Sequence, residues 1–255
     1  MNKFWNILYI ILISASLSAC SVFHNGGNSK GDPRKMRSKT KLNLSHSYLD
    51  EIPPYVFKLT ELKVLNLHHN NITEIPPEIK NLVNLEKLIV SRNNLTELPE
   101  EIGDLPNLEV LSLKANQITH LPESIGNLSK LEVCRLNFNK LTYLPSTIGK
   151  LKALSHFYIG FNQIEYLPNE IGQMTGLREF VIGRNMLVTL PPEFYELTSL
   201  NVLDVAYSGA LLQLAYGICQ MRSIETLYID RNTLNFAPRC LEIRANGLRF
   251  SLIIK

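Results

Sequence analysis

Apolar and polar residues along this chain follow one order that returns every 23 residues. From Leu85 to Asn107 it reads Leu85, Leu88, Val90, Asn93, Leu95, Leu98, Pro99, Ile102 and Leu105. Copies begin at Lys39, Leu62, Leu85, Leu108, Leu131, Leu154, Leu177, Leu200 and Ile224, and the eighth is one residue longer. A period of this length predicts a solenoid, in which each unit buries its apolar side only against its neighbours. The start of each copy alternates apolar with polar residues, the period of a strand. Stacking places Leu42, Leu65, Leu88, Leu111, Cys134, Phe157, Phe180, Leu203 and Leu227 in one inward row. Leu44, Leu67, Val90, Leu113, Leu136, Ile159, Ile182, Val205 and Ile229 form the next. Nine strands at about 4.8 Å predict a parallel sheet roughly 40 Å across.

Each strand must be followed by a turn, which takes backbone groups out of the ladder and into the interior. At that point stand Ser47, Asn70, Asn93, Asn116, Asn139, Asn162, Asn185, Ser208 and Asn232. A buried amide both donates and accepts, so it can satisfy those groups in its own repeat and in the next. Serine at two positions replaces only part of this. Proline follows the fourth core position at Pro53, Pro76, Pro99, Pro122, Pro145, Pro168, Pro191 and Pro238. It fixes φ and has no N–H, so the far side is expected to hold extended or 3-10 segments with short helical turns.

The Leu-x-x-Leu-x-Leu-x-x-Asn run with its Leu-Pro-x-x-Ile half resembles the bacterial form of the leucine-rich repeat. The resemblance covers nine repeats over 39–246. It implies an α/β-type solenoid, a horseshoe with a concave parallel β-sheet and a convex side of extended and 3-10 segments. It also implies a protein that works by presenting a rigid surface. The tail 247–255 keeps Leu248, Phe250 and Leu252 at alternate positions and is read as a capping strand.

The amino end carries an address. Lys3 precedes an apolar run, Phe4 to Leu17, that reads as a signal-peptide core and is too short to span a membrane. It ends Leu17-Ser18-Ala19-Cys20, which looks like a bacterial lipobox. That resemblance implies a signal peptide over 1–19, cleavage after Ala19, and acyl chains such as palmitate on Cys20. Ser21 beside the anchor suits the outer membrane by the same analogy. Residues 20–38 contain Gly26, Gly27, Gly31 and Pro33 and are read as a flexible tether. Lys30, Arg34, Lys35, Arg37, Lys39 and Lys41 make its end basic. From Leu42 onward there are 19 basic and 22 acidic residues, a net −3, so the solenoid is not a nucleic-acid surface.

No phosphate loop, nucleophile elbow or Cys-x-x-Cys is present, so no catalytic residue, cofactor or enzymatic activity is expected. His46, His68 and His69 are the one metal-like cluster. Lacking a carboxylate to orient them, they are read as exposed polar strand residues, and no metal is expected. Cys134 replaces a core leucine. Cys219 and Cys240 fall on nearly equivalent convex positions, as two buried thiols or, in an oxidising compartment, a disulfide.

The outward strand positions change character along the chain. Early repeats present Asn43, His46, Asn66, His68 and Lys87. From the fifth repeat Phe138, Phe161 and Tyr207 share one offset, interrupted by Arg184. Tyr158, Val181, Asp204 and Tyr228 share another, and Gly160, Gly183 and Ala206 a third. This predicts a shallow trough beside an aromatic ridge. Outward aromatics and arginine favour binding hot spots, although their stacking along the sheet also stabilises it. The expected partner-binding set is Phe138, Tyr158, Phe161, Arg184, Asp204, Tyr207, Tyr228 and Arg231. The expected protein is a lipid-anchored monomer of the cell envelope with a protein partner, the alternative being a periplasmic or envelope scaffold that binds peptidoglycan or glycan.

Overall fold

A computed structural model describes residues 40–209, 212–241 and 250–255. The expectations placed on the signal peptide, on Cys20 and on the tether lie outside the described residues. So do Lys39, residues 210 and 211 of the eighth repeat, and residues 242–249.

Ten strands form one open parallel sheet in sequential order. They are β1 (Lys41–Asn43), β2 (Val64–Asn66), β3 (Lys87–Ile89), β4 (Val110–Ser112), β5 (Val133–Arg135), β6 (His156–Tyr158), β7 (Glu179–Val181), β8 (Val202–Asp204), β9 (Thr226–Ile229) and β10 (Ser251–Ile254). Register repeats at every step: Leu42 faces Leu65, Leu88 faces Leu111, and Cys134 faces Phe157. Leu203 still faces Leu227, so the extra residue of the eighth repeat is absorbed between strands. β10 continues the sheet, with Leu252 opposite Leu227.

After each of the first seven repeat prolines the chain makes a single 3-10 turn, at Pro54–Lys58, Pro77–Asn81, Glu100–Asp104, Glu123–Asn127, Ser146–Lys150, Asn169–Gln173 and Pro192–Glu196, whereas none follows Pro238 among the described residues. The proline-less eighth repeat makes a shorter one, Tyr216–Cys219. Both inward rows are buried from repeat two onward, while Leu42 and Leu44 at the first repeat are only half-buried. Small Cys134 sits beside large Phe157, which stacks on Phe180 with ring centroids 5.5 Å apart. Pairing a small side chain with a large one keeps the layer full. Burial pushes the Cys134 thiol up to about 12, so it stays a neutral hydrophobe.

The buried asparagines bind within their own repeat, as expected, but reach back to the preceding repeat and not on to the next. Asn139 Nδ2 donates to the carbonyls of Leu113 (3.1 Å) and Leu136 (2.9 Å), and its Oδ1 accepts from the Ile118 N–H (3.1 Å). Asn70, Asn93, Asn116, Asn162 and Asn185 make the same cross-repeat set. Ser208 keeps one bond of the three, from its hydroxyl to the Ile182 carbonyl.

Asn232 does not join this ladder. The ninth repeat leaves its strand through a short helix, α1 (Arg231–Asn235), which carries Asn232 to the surface. Asp230 caps that helix, accepting from the N–H groups of Asn232 and Thr233 and from the Thr233 hydroxyl. The oxygen that takes the Thr233 hydroxyl, Oδ2, also accepts from the Tyr207 N–H of the preceding repeat at 2.8 Å. A capping carboxylate starts a helix where asparagine elsewhere holds a turn. Burial raises the Asp230 carboxyl, but the bonds from Thr233, Tyr207 and Asn232 outweigh it and hold it below the usual carboxylate range.

Glycine sets how closely the 3-10 turns approach. A Cβ on Gly103, Gly126, Gly149 or Gly172 would lie within 2.5 Å of a carbonyl oxygen in the next repeat. At the far end a disulfide joins Cys219 to Cys240, with Cα atoms 5.9 Å apart, so the pair is bonded and not two thiols.

Two stability outcomes follow. Asn139→Ala strands three buried backbone groups and should cost on the order of 3 kcal/mol in chemical denaturation, against under 1 kcal/mol for Asn107→Ala, whose bond to Val83 is exposed. Equal midpoints would contradict the ladder. Cys219→Ser with Cys240→Ser frees a loop closed across 21 positions and should cost about 3 kcal/mol. An unchanged melting temperature under reducing and oxidising conditions would remove the bond from the account.

Candidate functional site

The candidate site is built on two outward positions at the carboxyl end of each strand. At the second of these, just before the ladder asparagine, His46, His69, Arg92, Ala115, Phe138, Phe161, Arg184 and Tyr207 all have φ between 55° and 60°. None is glycine, and each left-handed residue costs roughly 1 kcal/mol or more. The stack over-determines the conformation: Phe138, Phe161 and Arg184 each donate their N–H to the next repeat, at Gly160, Gly183 and Ala206. Their side chains therefore start from fixed, equivalent points.

Those side chains pile into one column. Phe138 stacks on Phe161 with centroids 4.0 Å apart and planes 19° apart. The Lys114 ammonium also lies over the Phe138 ring, 5.3 Å from its centroid. Arg184 lies 4.9 Å from the Phe161 ring and 4.8 Å from Tyr207. The sequence suggested that Arg184 interrupts the aromatic offset; the structure has it bridging two rings by cation–π contact. Phe138, Phe161 and Tyr207 remain 43%, 42% and 46% exposed, so the column is both stacked and open to a partner.

Beside the column runs a trough of about 190 Å³, lined by Asn137, Gly160, Phe161, Val181, Gly183, Arg184, Asp204, Ala206, Tyr207 and Lys255. Its floor is the small-residue stripe. A Cβ on Gly183 would come within 2.7 Å of the Ala206 carbonyl, so the floor admits nothing larger. Asp204 at one wall accepts from the Ala206 N–H at 3.0 Å and pairs with Lys255.

Of the eight expected partner residues, Phe161, Arg184, Asp204 and Tyr207 line this trough, and Phe138 extends its wall through the stack. Tyr158 stands apart: its hydroxyl donates to Glu179 at 2.9 Å and Arg135 lies over its ring. Partial burial, then the Glu179 contact, push that phenol up to about 12. Tyr228 is covered by Lys255 at 4.4 Å, and exposed Arg231 opens α1. Lys255 itself was missed. Continuing the strand alternation into the tail would have placed it level with Asp230, beside this wall. A larger hollow of about 820 Å³ lies on the turn side, among Tyr166, Pro191, Tyr195 and Tyr216. It was also missed, because the repeat pattern treats those positions as variable.

At the other end of the strand face the three histidines converge. Rings of His46 and His69 are 4.5 Å apart, and His68 lies 5.5 Å and 6.0 Å from them. Burial, then the neighbouring His46 and Arg92, lower the His68 basicity below that of a free imidazole.

Residues 38–95 match the leucine rich repeat family, and residues 100–189 match the leucine-rich repeat region family. A comparison with curated protein sequences finds no match. Among solved structures, a Leptospira interrogans leucine-rich-repeat protein is 27% identical, with a TM-score of 0.69 over 85% of this chain and 60% of that one. A plant peptide hormone receptor solved in complex with RGF2 is 26% identical, with a TM-score of 0.61 over 71% of this chain and 31% of that one. An internalin from Listeria monocytogenes, 21% identical with a TM-score of 0.65, covers 88% of this chain and 59% of its own and shares the fold. This chain thus spans less than two thirds of each of the three. Two repeat-family matches, laid on a solenoid of parallel strands and 3-10 turns, show that residues 38–95 and 100–189 are leucine-rich repeats.

Proposed function

We propose that this is a lipid-anchored envelope protein, held at the outer membrane through Cys20, that captures a protein partner on the strand face of repeats five to eight. The observation that carries the capture reading is the Phe138–Phe161–Arg184–Tyr207 column beside a trough floored by glycine. Aromatic and arginine side chains held rigidly lose little entropy on binding, and they are what binding hot spots use. The trough is too small for a folded domain to enter. It accommodates an extended backbone or one inserted side chain, with the column as flank. A partner seated there would bury roughly 800 Å² on this side.

Protein is favoured over glycan because sugars need free aromatic faces. The facing surfaces of Phe138 and Phe161 cover each other, and Tyr158 lies under Arg135. What remains outward is ring edge and guanidinium, suited to peptide groups and acidic side chains. The plant receptor structure holds RGF2, which sits with this reading for the fold. The envelope address rests on the run ending Leu17-Ser18-Ala19-Cys20. Two acyl chains anchor stably where one does not. The Cys219–Cys240 disulfide supports the address, since such bonds persist in oxidising compartments. Binding, and not catalysis, is the activity proposed.

Phe161→Ala with Tyr207→Ala should weaken capture of a purified partner at least tenfold, with thermal melting shifted by only a few degrees. Unchanged affinity would remove the trough from the binding site. For the anchor, Cys20→Ala should abolish labelling by a fatty-acid analogue and release the protein from membranes. Persistent membrane attachment of that variant would contradict lipidation.

A further inference from the structure

We propose that His46, His68 and His69 form a binding site for a divalent transition-metal ion of the zinc class, with its fourth position open. No charge or packing requirement of the repeat calls for three imidazoles at this end. Elsewhere the same two outward positions hold Ser91, Arg92, Lys114 and Ala115. Here the stacking of two repeats brings His68 and His69 of one onto His46 of the other, and one ring nitrogen from each lies within 4.8 Å of the others.

The backbone beneath them is fixed. His46 donates its N–H to the His68 carbonyl at 2.9 Å, His69 to the Ser91 carbonyl at 2.9 Å, and His68 to the Asn66 side chain at 3.0 Å. His46 and His69 share the left-handed conformation, so both side chains leave the sheet in the same direction. Three nitrogens bonded to one tetrahedral zinc at about 2.05 Å stand about 3.3 Å apart. His46 and His69 are exposed, so their side chains have room to turn toward that spacing. Three imidazole nitrogens select zinc, copper or nickel over calcium and magnesium, which require oxygen ligands.

The open position has a preferred occupant. Arg92 follows His69 in the same left-handed column, one repeat further on, and His68 feels its charge. A bare dication beside a guanidinium is disfavoured, whereas a metal carrying an anionic fourth ligand is balanced. A carboxylate is the natural fourth ligand, supplied by solution or by a bound protein. This site is separate from the trough and does not depend on the partner reading.

The test is a titration of the full chain, without added histidines, by zinc calorimetry and by cobalt(II) visible absorption. The expected result is one equivalent bound in the micromolar range or tighter. His46→Asn and His69→Asn should each weaken it at least tenfold, because asparagine tolerates the left-handed backbone but leaves a ligand missing. His120→Asn should leave it unchanged. Zinc should also raise the melting temperature of the unsubstituted chain and not that of His69→Asn. Absence of stoichiometric binding, or binding that survives both His46→Asn and His69→Asn, overturns the proposal.

Discussion

Every repeat must return its chain to the same place one strand further along, and the buried asparagine amide enforces this. Its oxygen fixes a turn N–H of the preceding repeat, and its nitrogen ties two strand-end carbonyls, one from each repeat. Three backbone groups that would otherwise be buried unpaired are satisfied together. A repeat one residue longer or shorter would miss all three. The eighth repeat illustrates the constraint. With serine in place of asparagine it keeps one bond, and there the period lengthens. The ninth abandons the device for a carboxylate-capped helix, where Asp230 reaches back to Tyr207.

The same constraint builds the functional face. Holding the strand end also holds the preceding residue in a left-handed conformation that non-glycine residues rarely adopt. Each such residue projects from an identical frame, and parallel strands set these frames about 4.8 Å apart. Rings placed on that lattice stack without searching for one another, as Phe138 and Phe161 do. Imidazoles placed on it converge, as His46 and His69 do. Surface chemistry is thereby decoupled from stability: the outward residue can change while the amide beneath it stays.

The solenoid was largely legible in the sequence because both of its signals are periodic. Leucine spacing gives the inward rows, and the Asn and Pro positions give turn and far side. Asn232 was misread because a pattern of identity does not reveal that Asp230, two residues earlier, offers a better helix cap. The trough and column were legible as stripes, but their contacts were not. Nothing in the order Phe138, Phe161, Arg184, Tyr207 says that the guanidinium bridges two rings instead of dividing them. Lys255 was hidden for a different reason. It comes 51 residues after Asp204, and only the tenth strand brings the two together. The bond between Cys219 and Cys240 depended on a distance between convex segments that spacing alone leaves open.

Stacked repeats hold the outward column rigid before any partner arrives. Amide hydrogen exchange of the free protein tests it directly, read at Phe138, Phe161 and Arg184, whose N–H groups bond to the next repeat. The account expects these three amides to exchange as slowly as those of the buried strand residues Phe157 and Phe180, opening only with the whole stack. Exchange near the rate of an unstructured chain at those positions, with the core still protected, would mean that the face is assembled by its partner and would contradict the claim.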